Sequence, residues 1–185
     1  TRGVARRAGR LLDRTVPRLC DHAIAIRPET KEKLAGLGCT DVSYVPPGVD
    51  ASDFDGAAPE PLPPGNWVVY AGNPDPYQDL DVLMEAMQRL PEVGLVMVSA
   101  SDLSQWAGWG LPKFLPIQTG DFKRVRDVMA AADLAVLPRT TCSGFPIKLL
   151  NYLGMGLPVV AAEGSTNPLP GVLRVRNSDS EAMAE

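Results

Sequence analysis

The chain is poor in the residues that most often carry reactive chemistry. Its 185 residues include a single histidine, His22, and three cysteines, Cys20, Cys39 and Cys142. An odd cysteine count with neither a CxxC nor a Cys/His spacing offers no disulfide framework and no metal signature. The cysteines read as small apolar side chains of a reduced, cytoplasmic protein. His22 lies beside a predicted strand with no second titrating partner in the sequence, and reads as structural rather than catalytic. A formal net charge of −4 leaves no overall basic surface, which argues against a nucleic-acid partner. No apolar run approaches the ~20 residues needed to span a bilayer. Nor do the opening residues, Thr1 to Arg7, lead into a signal-peptide hydrophobic stretch.

What is present is enough for a packed core: 45% of the residues are hydrophobic and 22% charged, in a length suited to one domain or to one domain and part of another. Positive charge is concentrated at the start, where Arg2, Arg6, Arg7, Arg10, Arg14 and Arg18 share a helix-like stretch with Leu11, Leu12, Val16 and Leu19. It reads first as a solvated helix face. The sharper reading is peripheral contact of Arg6, Arg7, Arg10 and Arg14 with anionic lipid at the inner face of a membrane. Beyond it the pattern predicts a strand over Cys20–Ile26, a helix opened by Arg27-Pro28-Glu29-Thr30 and stopped at Gly36-Leu37-Gly38, and a strand over Val42–Val45. From Ala51 to Gly65 the composition shifts to Ala, Asp, Gly and Pro, and Pro59, Pro61, Pro63 and Pro64 argue against regular structure. The domain boundary is placed there, with residues 1–55 before a linker at 56–65 and a second domain at 66–185.

That second domain alternates. Trp67–Ala71 reads as a buried strand, and Leu80, Leu83, Met84, Met87 and Leu90 mark the core-facing stripe of a helix. Leu95–Val98 is a strand, Trp106 and Trp109 fall in a stretch without a clear pattern, and Leu115–Gln118 is a short strand. Phe122–Ala132 reads as a helix, Leu134–Leu137 as a strand, and a last helix begins near Asp179. Alternation of this kind predicts an α/β fold, a Rossmann-like parallel sheet with helices on both faces. No GxGxxG follows the first strand, so a dinucleotide fingerprint is absent. The loops Gly72–Gln78, Ser99–Asp102, Gln118–Asp121 and Arg139–Gly144 then share the carboxyl edge of the sheet.

One stretch organises the remainder, Pro138 to Ala162. A strand ends, a polar loop carries Ser143-Gly144, Pro146 is placed in the first turn of a helix, and that helix stops at Gly154-Met155-Gly156 before Pro158-Val159-Val160. A helix N-terminus at the carboxyl edge of a parallel sheet is suited to an anionic ligand.

These residues resemble the C-terminal, donor-binding part of GT-B glycosyltransferases, specifically the family-4 group of retaining enzymes. The resemblance rests on Ala25-Ile26-Arg27-Pro28-Glu29-Thr30 with Leu34, and on Tyr44-Val45-Pro46-Pro47-Gly48-Val49-Asp50 through Phe54. It continues in Tyr70-Ala71-Gly72 with Leu80, Asp81 and Leu83, in Ala131–Pro138 leading to Gly144-Phe145-Pro146, and in Gly156–Ala161. Each motif is moderately specific alone; their order and spacing together are strong. The resemblance covers nearly all of the chain from Cys20 onward. It implies one half of a GT-B fold, with residues 1–55 as the tail of the first domain and its crossover.

The resemblance also implies where this sequence departs from the family. The family's first loop carries an Arg after its glycine and a Lys further on, and its E-x7-E signature puts two carboxylates at the donor. Here those positions are Asn73, Gln78, Ser143 and Asn151, neutral groups that hydrogen-bond with roughly half the strength of charged ones. The donor-binding set implied is therefore Gly72, Asn73, Gln78, Arg139, Ser143, Gly144, Phe145, Lys148 and Asn151, with Lys148 or Arg139 able to replace the missing phosphate partners. The resemblance implies a nucleotide sugar as donor substrate, a glycan or lipid-linked acceptor, and neither a metal nor a further cofactor; it assigns no catalytic residue. The other reading is a non-catalytic glycosyltransferase-like domain that binds nucleotide or glycan, or serves as a partner subunit. A GT-B enzyme is roughly twice this length, so the chain is expected to be part of a larger protein and inactive in transfer alone.

Overall fold

The structure is a computed structural model and describes residues 2–142 and 144–185. The chain divides into two compact units, one ending at Gly48 and the other running from Val49 to Glu185.

In the first unit, helix α1 (Arg2–Thr15) is followed by a 3-10 turn at Val16–Leu19. Strand β1 (Ala23–Ala25), helix α2 (Pro28–Gly36) and strand β2 (Val42–Tyr44) then form a β-α-β unit, with Ala23 paired in parallel to Val42. Pro28 opens α2, where a missing N–H costs no helical bond. Arg18 Nε donates to the Leu37 carbonyl (2.8 Å), tying the 3-10 turn to the end of α2. The parallel pairing also gives His22 a partner that linear reading did not find: its Nδ1 lies 2.9 Å from Asp41 Oδ2. Of the three thiols only Cys39 is buried; Cys20 is exposed and Cys142 half-buried.

The second unit is built on six parallel strands: β3 (Trp67–Ala71), β4 (Gly94–Ser99), β5 (Phe114–Gln118), β6 (Leu134–Leu137), β7 (Val159–Ala162) and β8 (Val172–Val175). Their order is β5-β4-β3-β6-β7-β8, so the chain starts at the centre, steps outward, returns across β3 and steps out the other way. Val69 pairs with Val96 on one side and with Ala135 on the other. The central strands are apolar on both faces, as a sheet covered on both sides requires. Alternation sorts their side chains: Val69, Ala71, Val96 and Val98 face Val128, Met129, Leu149 and Tyr152. Those four partners belong to helices α5 (Phe122–Ala130) and α6 (Ile147–Gly154). Tyr70, Leu95, Met97 and Val136 face the stripe Leu80, Leu83, Met84 and Met87 of α3 (Leu80–Gln88), together with Met183 of α7 (Ser180–Ala184).

Several elements differ from the expectation. β8 was not anticipated: it is a four-residue edge strand whose Leu173 is 63% exposed, so its sequence lacks the apolar run of a central strand. Trp106 falls in a short helix, α4 (Ser104–Ala107). α5 ends at Ala130 rather than Ala132. Pro146 is the residue before α6, extended at φ −75 and ψ 96, rather than part of its first turn.

The proline-rich segment also behaves differently from a free linker. It contains a 3-10 turn at Ala51–Phe54, capped by the Asp50 carboxylate accepting from Ser52 N. Farther on it is fastened along α5. Ala58 N donates to Asp127 Oδ1 (3.1 Å), and Glu60 N donates to the Asp127 carbonyl (3.0 Å). Arg126 donates to the carbonyls of Asp53, Asp55 and Gly56, and Arg124 pairs with Glu60 at 2.7 Å. Prolines remove backbone donors, but the remaining N–H and C=O groups still require partners, and α5 supplies them.

Candidate functional site

In a doubly wound sheet the crevice opens where neighbouring strands lead their connections in opposite directions. Here that point lies between β3 and β6. The loop after β3 and the loop after β6 are joined directly. Asp79, held in the left-handed region at φ 53, accepts from Thr140 N (2.7 Å) and Thr140 Oγ1 (2.9 Å) through one carboxylate oxygen. Asp tolerates this conformation better than most residues, and the two hydrogen bonds offset its strain.

Helix α6 enters the crevice from the Val69/Ala71 side of the sheet. The Tyr152 hydroxyl, fully buried, accepts from Ala71 N (2.8 Å) at the last residue of β3. One turn earlier on the same helical face, Lys148 reaches the end of β3, where its Nζ donates to Tyr70 Oη (2.9 Å) and Gln78 Oε1 (3.1 Å). The ammonium also lies 4.3 Å from the centroid of the Tyr70 ring. Gly72, at φ +140, makes the approach possible: a Cβ there would sit 2.8 Å from Lys148 Nζ. Burial lowers the Lys148 ammonium to about 8, with Arg139 lowering it further and Asp75 opposing. Burial pushes the Tyr70 and Tyr152 hydroxyls up, so both remain protonated partners.

Of the residues nominated from the sequence, Gly72, Gln78 and Lys148 meet in this one cluster. Gln78 is 3% exposed, its carbonyl oxygen committed to Lys148. Asn73 is exposed and turns toward the next loop, its side-chain oxygen accepting from Ser99 Oγ (3.3 Å) and Ser101 Oγ (3.4 Å). Arg139 stacks over the Tyr77 ring at 5.8 Å, and its Nε donates to the Thr141 carbonyl (3.0 Å). Asn151, half-buried one turn along from Lys148, makes no side-chain hydrogen bond among the described residues. Phe145 packs on the core beneath, and the Gly144 carbonyl accepts from the Cys142 thiol. Ser143 lies outside the described residues. Tyr70, Asp79, Thr140 and Tyr152 were not nominated; the available signal was a hydroxyl-bearing tip at the end of an otherwise aliphatic strand or helix face.

A cavity of about 230 Å³ adjoins Gly72, bordered by Ser99, Ala100, Thr119 and Gly120. A larger one, about 480 Å³, lies at the other end of the strands and is lined almost wholly by apolar groups such as Trp67, Leu83, Met87 and Leu134. Its size does not make it the site, because convergent polar groups are found at the carboxyl edge instead. Among the described residues, no group of three His, Cys, Asp or Glu side chains is placed to hold a metal ion. Among the same residues, no helix is long and apolar enough to cross a membrane.

The family described as "Glycosyl transferases group 1" matches residues 65–185, the whole sheet and its crevice. The chain belongs to this glycosyltransferase family. No curated protein matches the sequence. Among solved structures, sucrose-phosphate synthase from Thermosynechococcus elongatus is similar over 94% of this chain and 50% of its own, with a TM-score of 0.79 and 19% identity. HepE from Anabaena, in complex with UDP and glucose, is similar over 89% of this chain and 52% of its own, at TM-score 0.63 and 20% identity. A C-terminal domain of a group 1 family glycosyl transferase, LpcC from Francisella tularensis, is similar over 74% of this chain and 84% of its own, at TM-score 0.56 and 16% identity. At these identities the likeness concerns the fold, which is the Rossmann-like half of a GT-B glycosyltransferase. The glycosyltransferase chain spans about half the length of the first two structures it resembles.

Proposed function

We propose that this chain is the donor-binding half of a retaining, family-4-like glycosyltransferase. It holds a nucleotide sugar, and the sugar passes to a glycan or lipid-linked acceptor, as polysaccharide biosynthesis requires. The observation that carries this reading is the half-buried Lys148 ammonium at the β3/β6 crevice, within hydrogen-bond reach of two neutral groups and beside Gly72, whose φ of +140 favours glycine. Support also comes from HepE, a fold relative in complex with UDP and glucose.

In this reading the diphosphate lies against the Gly72 loop and the start of α6, and the Asn151 amide meets the ribose hydroxyls. Departure of the nucleoside diphosphate builds negative charge, and a preorganised cation with backbone N–H groups stabilises it. The donor is a substrate, and no further cofactor is proposed. The acceptor side belongs to a facing domain, so this half alone binds donor without transferring sugar. A lipid-linked acceptor would suit α1, whose Arg6, Arg7, Arg10 and Arg14 are exposed beside exposed Leu11 and Leu12, as in a helix resting on the inner face of a membrane.

Calorimetric titration with uridine, guanosine and adenosine diphosphate sugars tests the proposal. Saturable binding of one of them, weakened by Asn151→Ala, is the expected result. Absence of binding by all three classes would reject it. Binding without turnover in the complete protein would favour a non-catalytic binding domain.

A further inference from the structure

The two strands that bound the crevice part before they end. β3 and β6 pair only at Val68–Leu134 and Val69–Ala135. By contrast, β3 stays paired with β4 through Ala71–Val98, and β6 with β7 through Leu137–Ala161. The last residues of β3 and β6 therefore share no ladder, and the backbone alone does not fix how far apart the two following loops stand. Side chains make the connection. Asp79, the residue before α3, accepts from Thr140 N (2.7 Å) and Thr140 Oγ1 (2.9 Å) in the loop after β6, and Arg139 of that loop lies over the Tyr77 ring.

The Asp79 bond is made at the expense of local structure. An aspartate before a helix usually turns its carboxylate back to the first free N–H groups of that helix. Asp121 and Asp179 do so, accepting from Lys123 N and Ala182 N. The Asp79 carboxylate makes no cap bond with α3, and its backbone sits at φ 53 and ψ 40, a region that strains a residue bearing a side chain. A cap and a relaxed backbone are both given up for a contact 61 residues away. Asp79 and Thr140 are half-buried, so the contact closes no core.

Thr140 is held on its other side as well. Its carbonyl oxygen lies so close to Gly164, in the turn after β7, that a Cβ there would overlap it. Gly164 N in turn donates to Asn177 Oδ1 (2.8 Å), after β8. The loops after β3, β6, β7 and β8 are thus joined in spatial order along the carboxyl edge. Asp79 begins that row. Ser178, the other non-glycine residue with positive φ among those described, stands next to Asn177 at its far end.

From this arrangement we infer that Asp79 is a positioning residue of the donor site. Its carboxylate grips Thr140 and sets the separation of the loops after β3 and β6, while Gly164 and Asn177 fix Thr140 from behind. The inference rests on the donor-site reading above and adds to it a residue that acts through Thr140 rather than on the ligand. Without the grip the two loops sample wider separations, and part of the binding free energy goes into bringing them together.

The test is calorimetric titration of the full chain with uridine, guanosine and adenosine diphosphates, at a temperature where urea midpoints show each variant fully folded. Asp79→Gly suits φ 53 and removes only the acceptor; it should bind the diphosphate taken by wild type about 10-fold more weakly. Asp79→Asn tolerates the same backbone, and its side-chain oxygen can accept both bonds, so affinity should return to within about threefold of wild type. Thr140→Val keeps the backbone donor and loses the hydroxyl, and should fall between. Added to Asp79→Gly it should cost nothing more, because both act through one contact. Binding of Asp79→Gly within about twofold of wild type overturns the inference. So does Asp79→Asn as weak as Asp79→Gly, since the carboxylate charge would then act on the ligand itself. If Asp79→Gly does not fold, Thr140→Val decides: a loss of about threefold or more supports the inference, and a smaller one overturns it. A wild-type chain that binds none of the diphosphates would instead remove the donor-site reading, and this inference with it.

Discussion

Helix α1 and the β3/β6 crevice use positive charge in opposite ways. The helix places Arg6, Arg7, Arg10 and Arg14 in solvent, where each is hydrated and none needs a partner. The crevice has Lys148, enclosed beside Tyr70 and Gln78 and without an ion pair among the described residues, with Arg139 half-buried over Tyr77. Counting charges would direct attention to the helix. Environment directs it to the crevice, since a charge acts strongly where water cannot screen it.

That contrast predicts a graded series of effects. The largest belongs to a buried charge that already has partners. Asp127, 8% exposed, accepts from Lys123, Arg126 and Ala58 N. Asp127→Ala should therefore lower the urea midpoint of unfolding and loosen the 51–64 segment to proteolysis, because Ala58 N and Arg126 lose their acceptor. An unchanged midpoint and an unchanged cleavage rate would mean that the network contributes little. Tyr152→Phe removes the acceptor for Ala71 N under the site and should cost about 1–3 kcal/mol, with donor affinity falling in parallel. Equal stability of the two proteins would show that water replaces the hydroxyl.

The pH dependence is subtler. The Lys148 ammonium is lowered to about 8 in the folded chain and titrates near 10.4 when unfolded. Between those values the unfolded state binds more protons, so stability rises with pH; the gain is complete above the upper value and lost as pH falls through the lower. Urea midpoints measured from pH 7 to 11 should show this rise in wild type and lack it in Lys148→Met. The smallest effect on stability is expected from exchanging Arg6, Arg7, Arg10 and Arg14 together for Gln, within about 0.5 kcal/mol. Binding to phosphatidylserine vesicles should nevertheless weaken by about 1 kcal/mol for each charge removed. Unchanged vesicle binding would leave α1 as a plain solvated helix.

The sheet was readable before its structure because its strands are buried on both faces, so Trp67–Ala71, Leu95–Val98 and Leu134–Leu137 stand out as apolar runs, and α3 as a 3.6-residue stripe. Edge strand β8 was not readable, because half of it meets solvent. The attachment of residues 51–64 was hidden for a related reason: a proline-rich composition shows which backbone donors are missing, not where the others find acceptors, as Ala58 N does 69 residues away. At the site, Gly72, Gln78 and Lys148 could be nominated from motif spacing. The roles of Tyr70, Asp79 and Tyr152 depend on contacts between residues 61 to 81 positions apart.

By itself, then, the order of apolar runs and loop residues determined a parallel α/β sheet with its polar loops on one edge, since burial on two faces leaves a periodic trace in a linear chain. It also determined that the loop after the first strand of the sheet carries the neutral amides Asn73 and Gln78. Only the tertiary structure decided which cation faces the crevice. Lys148 and Arg139 are equal candidates along the chain, and they are separated by their partners, Tyr70 and Gln78 for Lys148 against the Tyr77 ring and the Thr141 carbonyl for Arg139, and by the approach of Lys148 to Gly72 at the strand end. Those are properties of what surrounds a side chain, and a sequence names the side chain without its surroundings.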